Sequence, residues 1–70
     1  MEADEISLSD RERAVLKLVA AGYNSKSIGR SLEISPRVVD HHVTECLSKL
    51  GAKNRAELVA KASEKGFFST

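Results

Sequence analysis

Apolar residues recur along this chain at helical spacing, and no stretch alternates apolar and polar residues over the length of a strand. Four amphipathic segments follow, separated by short breaks. The first is expected over Asp10–Ala21, with Val15, Leu16, Leu18 and Val19 facing inward. Ser9-x-x-Glu12 is a capping box: the Ser9 hydroxyl accepts from the Glu12 N–H, and the Glu12 side chain returns to the Ser9 N–H. Leu8 and Arg13 hold the staple positions, so only the stem of Arg13 is available to pack there. Gly22 suits a left-handed stop. The second segment starts after Asn24, a good N-cap, and ends near Leu32 or Glu33. Ile28 and Leu32 face one way, Lys26 and Arg30 another. Gly29 costs a helix interior roughly 0.5–1 kcal/mol relative to Ala, which points to another helix crossing closely there.

The third segment has the sharpest start. Ser35-Pro36 places a capping hydroxyl before a proline at the first helical position, where no N–H is missed. Over Pro36–Leu50, Val39, Val43, Cys46, Leu47 and Leu50 share one face, with His42 on its flank. Arg37, His41, Thr44 and Ser48 fall opposite, and Gly51 ends the helix. The fourth segment starts at Asn54, where Asn54-x-x-Glu57 is a variant capping box. Leu58, Val59 and Ala62 point inward, and Gly66 stops it. The organisation expected is an acidic leader or linker at 1–7, a helical domain at 8–66 and a tail at 67–70, with Phe67 and Phe68 folding back on the core.

Length narrows the function classes. Seventy residues make one small domain, which buries only about 60% of the surface its unfolded chain exposes. There is no second domain to form a cleft. Aromatics are 4% and Trp is absent, so Val, Leu, Ile and Ala fill the core. A single cysteine makes no internal disulfide, no apolar run approaches the roughly 18 residues of a membrane span, and the acidic start is the opposite of a signal peptide. The setting expected is cytoplasmic and reducing, with no membrane partner.

The net charge of +1 conceals a division. Glu2, Asp4, Glu5 and Asp10 lie in the first ten residues with no base, whereas residues 11–70 carry eleven bases and six acids, a balance of +5. A basic body suits an anionic partner, although many solvated helical surfaces are equally basic. The second and third helices are joined by only two or three residues around Ile34, which forces a sharp turn and a steep crossing: a helix-turn-helix.

From here the chain resembles a known family. Leu8-Ser9-Asp10-Arg11-Glu12-Arg13-Ala14-Val15-Leu16-Lys17-Leu18-Val19-Ala20-Ala21-Gly22 is similar to the opening of LuxR/GerE/FixJ-type DNA-binding domains. Asn24-Ser25-Lys26-Ser27-Ile28 and Leu32-Glu33-Ile34-Ser35-Pro36-Arg37 continue the match. So do Val39, His42 and Lys49-Leu50-Gly51, then Asn54-Arg55 and Leu58-Val59-x-x-Ala62. The resemblance covers residues 8–66 without a gap. It implies an all-α, four-helix, bundle-like domain with a helix-turn-helix and no wing, of the LuxR C-terminal type. It also implies that the third helix enters the major groove of double-stranded DNA and that the fourth often mediates dimerisation. The implied role is a bacterial-type transcription regulator or its effector domain. Val38 stands where the family usually has Thr, Ser27 where Glu is common, and Gly29 where Ala is common. Asp40 stands where many members have Lys, and an acid there is frequent in the FixJ-like branch.

Asp40, His41 and Thr44 match the family's base-facing positions. Asp suits cytosine N4, His a purine edge, and Thr a hydrogen bond or a thymine methyl. Ser25, Lys26 and Ser35 stand at the starts of helices two and three, where free N–H groups favour phosphate. Arg37, Lys49, Lys53 and Arg55 extend these candidates for the DNA backbone. Asp40 and Glu45 flank the reading face and repel phosphate, so a monomer should bind weakly and a dimer on two half-sites more firmly. Ala56, Ala60 and Ser63 form a small-residue stripe that admits a partner helix, or is simply a solvated run of helix formers.

Other conspicuous residues read more plainly. His42 is a packed histidine with one satisfied nitrogen, since a metal needs ligands this chain does not supply. Cys46 is a small core residue, and Tyr23 covers the end of the first helix. No catalytic set and no phosphate loop is present, so neither an enzyme nor a cofactor is expected. The rival function is a protein-interaction module that docks another regulator or RNA polymerase.

Overall fold

The computed structural model describes residues 7–68. It has four helices: α1 (Asp10–Ala20), α2 (Ser25–Leu32), α3 (Pro36–Leu50) and α4 (Arg55–Glu64). The described residues contain no strand and no helix long and apolar enough to cross a membrane. α3 packs against each of the other three helices, and α1 also meets α2 and α4. Residues 1–6 of the acidic leader and the last two of the tail lie outside the described residues.

The caps explain where the helices begin. At α1 both bonds of the capping box form, Glu12 N–H to Ser9 Oγ at 3.1 Å and Ser9 N–H to Glu12 Oε1 at 3.0 Å. Asn24, Ser35 and Asn54 each accept from the N–H three residues on, at 2.8, 3.2 and 2.8 Å. The box expected at α4 is only half made: Glu57 accepts from Lys53 N–H at 2.6 Å, not from Asn54. α1 closes one residue early, at Ala20, and Gly22 takes the left-handed conformation at φ 97°.

One buried cluster joins all four helices: Leu8, Val15, Leu16 and Val19, then Ile28, then Val39, Val43, Cys46 and Leu50, then Leu58 and Ala62. Burying a Leu, Ile or Val side chain contributes about 1.5–3 kcal/mol. Leu18, Leu32, Leu47 and Val59 pack against this cluster half-buried, as do Phe67 and Phe68. The Arg13 guanidinium lies 5.8 Å from the Phe67 ring centre.

The corner between α2 and α3 corrects one expectation. What stands closest to Gly29 is the turn and the first residue of α3, not the body of a crossing helix. A Cβ there would meet the turn itself, 2.5 Å from the Ile34 carbonyl oxygen and 3.3 Å from the Pro36 nitrogen. The same turn closes on Gly29 through the Ile34 N–H, which donates to the Gly29 carbonyl at 2.8 Å. Glu33 then reverses the chain in the left-handed region, at φ 60° and ψ 44°. That conformation costs an L-residue about 1–2 kcal/mol. Gly29 and Glu33 together set how tightly α3 folds back against α2.

Candidate nucleic-acid interface

α3 divides cleanly into two faces. Val39, Val43, Cys46 and Leu50 are buried, whereas Arg37, His41, Thr44 and Ser48 are exposed on the other side. A helix radius with side chains of about 5–6 Å lets such a ridge sit in a DNA major groove about 12 Å wide. Ser35 begins this helix, and its hydroxyl accepts from the Val38 N–H. His41 and Glu45 approach to 4.0 Å with both side chains well exposed, a pairing worth little in water. Lys26, Arg37 and Lys53 are exposed.

Asp40 is engaged within the protein. Its Oδ1 accepts the Ser25 hydroxyl proton and lies 3.6 Å from Arg55 Nη2. Arg55 Nη2 in turn donates to the Ser25 hydroxyl oxygen at 2.8 Å. Ser25 is the first residue of α2 and Arg55 the first of α4, so this cluster ties three helix segments together. Of the candidates read from the sequence, Ser25, Asp40 and Arg55 are thus in direct contact. Sequence reasoning did not join them, because no local spacing rule links residues on three different helices.

Lys49, expected on the DNA backbone, bonds Glu12 Oε1 at 2.8 Å and the Ser7 carbonyl at 3.2 Å. That bond holds the Glu12 carboxyl below its usual value of 4.5, with the Ser9 N–H adding to the effect. The same bond raises Lys49. Lys49 therefore joins α3 to α1, on the flank turned from the exposed ridge.

The remaining residues sit as follows. Ala56, Ala60 and Ser63 are all exposed on α4. Beside them, Val19, Gly22, Tyr23, Asn24, Arg55, Ala56 and Val59 line an open cleft of about 360 Å³. Tyr23, which follows the end of α1, is 52% exposed. Cys46 is fully buried, and burial pushes its thiol up to about 11. The nitrogen expected to be satisfied on His42 is not Nδ1, which is buried with no partner among the described residues. Those residues include no cluster of three metal-ligating side chains.

Comparison with known proteins gives a consistent picture. Residues 6–62 match the family model described as bacterial regulatory proteins, luxR family. The transcriptional regulatory protein DesR of Bacillus subtilis is 44% identical over 61 residues, covering 87% of this chain and 31% of DesR. The transcriptional regulatory protein FixJ of Rhizobium meliloti is 46% identical over 61 residues, covering 87% of this chain and 30% of FixJ. The chain thus spans about a third of the length of these relatives. Among solved structures, a chain of the Vibrio cholerae VqmA dimer, from work on LuxR-type receptors, superposes with a TM-score of 0.90 at 33% identity. That match covers 99% of this chain and 32% of VqmA.

Proposed function

Since the chain belongs to the luxR family of bacterial regulatory proteins, we propose that it reads duplex DNA through α3 as the effector part of a transcription regulator. The observation that carries this reading is the exposed ridge Arg37, His41, Thr44 and Ser48 on a helix whose other side is core. His41 and Thr44 read base edges in the major groove. Ser25, Lys26, Ser35, Arg37, Lys53 and Arg55 hold the sugar–phosphate backbone and set the register. Two copies associate through Ala56, Ala60 and Ser63, exposed on α4, and occupy two half-sites. The whole regulator works in the cytoplasm, and its signal arrives through another part of the protein.

Titration of labelled promoter-length duplex at several salt concentrations tests this. Binding should fall linearly in log–log form, with a slope of about −0.9 per phosphate neutralised. Capture of RNA polymerase or another regulator, with no salt-sensitive DNA binding even at low salt, overturns the reading.

A further inference from the structure

We infer that Asp40 is a positioning residue, which acts through the Ser25 hydroxyl to pin the Arg55 guanidinium in the geometry that meets the DNA backbone and does not itself touch a base. The inference rests on the function proposed above, because it takes Arg55 as a phosphate contact.

The argument begins with donors and acceptors. The Ser25 hydroxyl has one proton, and it goes to Asp40 Oδ1. Its lone pairs stay available, and one accepts from Arg55 Nη2 at 2.8 Å. Arg55, Ser25 and Asp40 therefore form a directed chain in which each bond polarises the next. Asp40 ends that chain as a pure acceptor. Oδ1 is the atom committed to Ser25 and Arg55, so a swing of the whole side chain toward a cytosine would strip Ser25 of its acceptor and open the 3.6 Å approach to Arg55, while Oδ2 takes no part in the chain.

What the chain does for Arg55 follows from its side chain. A guanidinium carries five N–H donors in a rigid fork on a flexible stem. Among the described residues Arg55 bonds through Nη2 alone, which leaves the other donors of the fork to grip a phosphate. The Arg55 and Asp40 side chains are 41% and 62% exposed, so the cluster is open to a ligand. An unpinned arginine loses rotamer freedom when it binds, whereas one already held by Ser25 and Asp40 has lost much of it beforehand. The same pairing offsets the negative charge of Asp40, which sits one residue from His41 and would otherwise repel the backbone.

A double-mutant cycle tests the inference. Asp40→Ala, Asp40→Asn, Arg55→Ala and the double variant Asp40→Ala/Arg55→Ala are titrated against one labelled mixed-sequence duplex, after circular dichroism confirms folding. Each is also selected against a pool of duplexes with a randomised core. The factor by which Asp40→Ala raises Kd should be about threefold or more larger with Arg55 present than in the Arg55→Ala background. The preferred sequence from the pool should stay that of the parent. If Asp40→Ala does not fold, Asp40→Asn and Asp40→Asn/Arg55→Ala give the same comparison, with a smaller factor because the amide oxygen still accepts from Ser25. Equal factors in the two backgrounds overturn the inference, and so does a changed preference at one base pair. A parent protein that binds no duplex at any salt overturns the proposed function and this inference together. Binding by the parent with equal factors overturns the inference alone.

Discussion

Lys49 and Glu12 meet at 2.8 Å across 37 residues of sequence. The carboxylate that completes the cap of α1 is thus also the anchor for the far end of α3, because the same Oε1 accepts from the Ser9 N–H. A local capping motif and a long-range clamp share one atom.

Acid should release this clamp. Glu12 has a folded-state value below its ordinary 4.5, chiefly through the Lys49 bond. Its contribution is therefore fully present above 4.5 and is lost as pH falls through the lowered value. Urea midpoints taken from about pH 7 to about pH 3 should fall more steeply for the parent than for Glu12→Gln. Parallel acid limbs would show that Glu12 has no part in the loss.

Gly29→Ala should destabilise the domain although Ala is the better helix former. The new Cβ would stand 2.5 Å from the Ile34 carbonyl, which is backbone and does not yield as a side chain would. Overpacking costs about 1–3 kcal/mol against a propensity gain of about 0.5–1 kcal/mol. Thermal unfolding of the variant decides the sign.

Glu33→Gly should have the opposite effect. The residue sits at φ 60°, where glycine escapes the cost borne by an L-side chain. After the extra freedom glycine gives the unfolded chain, a gain of about 0.5–1 kcal/mol should remain. A lower unfolding temperature would show that the Glu33 side chain contributes a contact that outweighs its strain.

Cys46 should be inert in the folded state. Burial raises its thiol to about 11, so little thiolate exists near neutral pH and no reagent reaches it. Alkylation by iodoacetamide should therefore follow unfolding. Fast labelling in buffer without denaturant would contradict this.

Two substitutions separate positioning from reading. Lys26→Ala should weaken binding about equally on every duplex and reduce the salt slope by about one unit. His41→Ala should change the preferred base at one position, by about 1–3 kcal/mol. Equal losses on all sequences for His41→Ala would remove it from the reading set.

The helix starts were legible in the sequence because their signals are local. Ser9 with Glu12, Asn24, Ser35 before Pro36, and Asn54 each act within three residues, and each accepts from the N–H three residues on, although the return bond of the box at Asn54 comes from Lys53. Both faces of α3 followed from periodicity for the same reason. Gly29 was legible as a close approach, yet its neighbour was not, since a glycine records that space is short without recording what fills it. The Asp40–Ser25–Arg55 chain and the Lys49–Glu12 clamp were hidden. Both depend on how helices cross, which no pattern of charge along the chain records.

The two-sided build of α3 has an evolutionary consequence. The residues that hold the domain together and those facing outward are different positions on one helix. Arg37, His41, Thr44 and Ser48 can be exchanged as a set while Val39, Val43, Cys46 and Leu50 stay in place. On the proposed reading, a duplicated copy of this domain is thereby free to acquire a new operator without having to rediscover a stable fold.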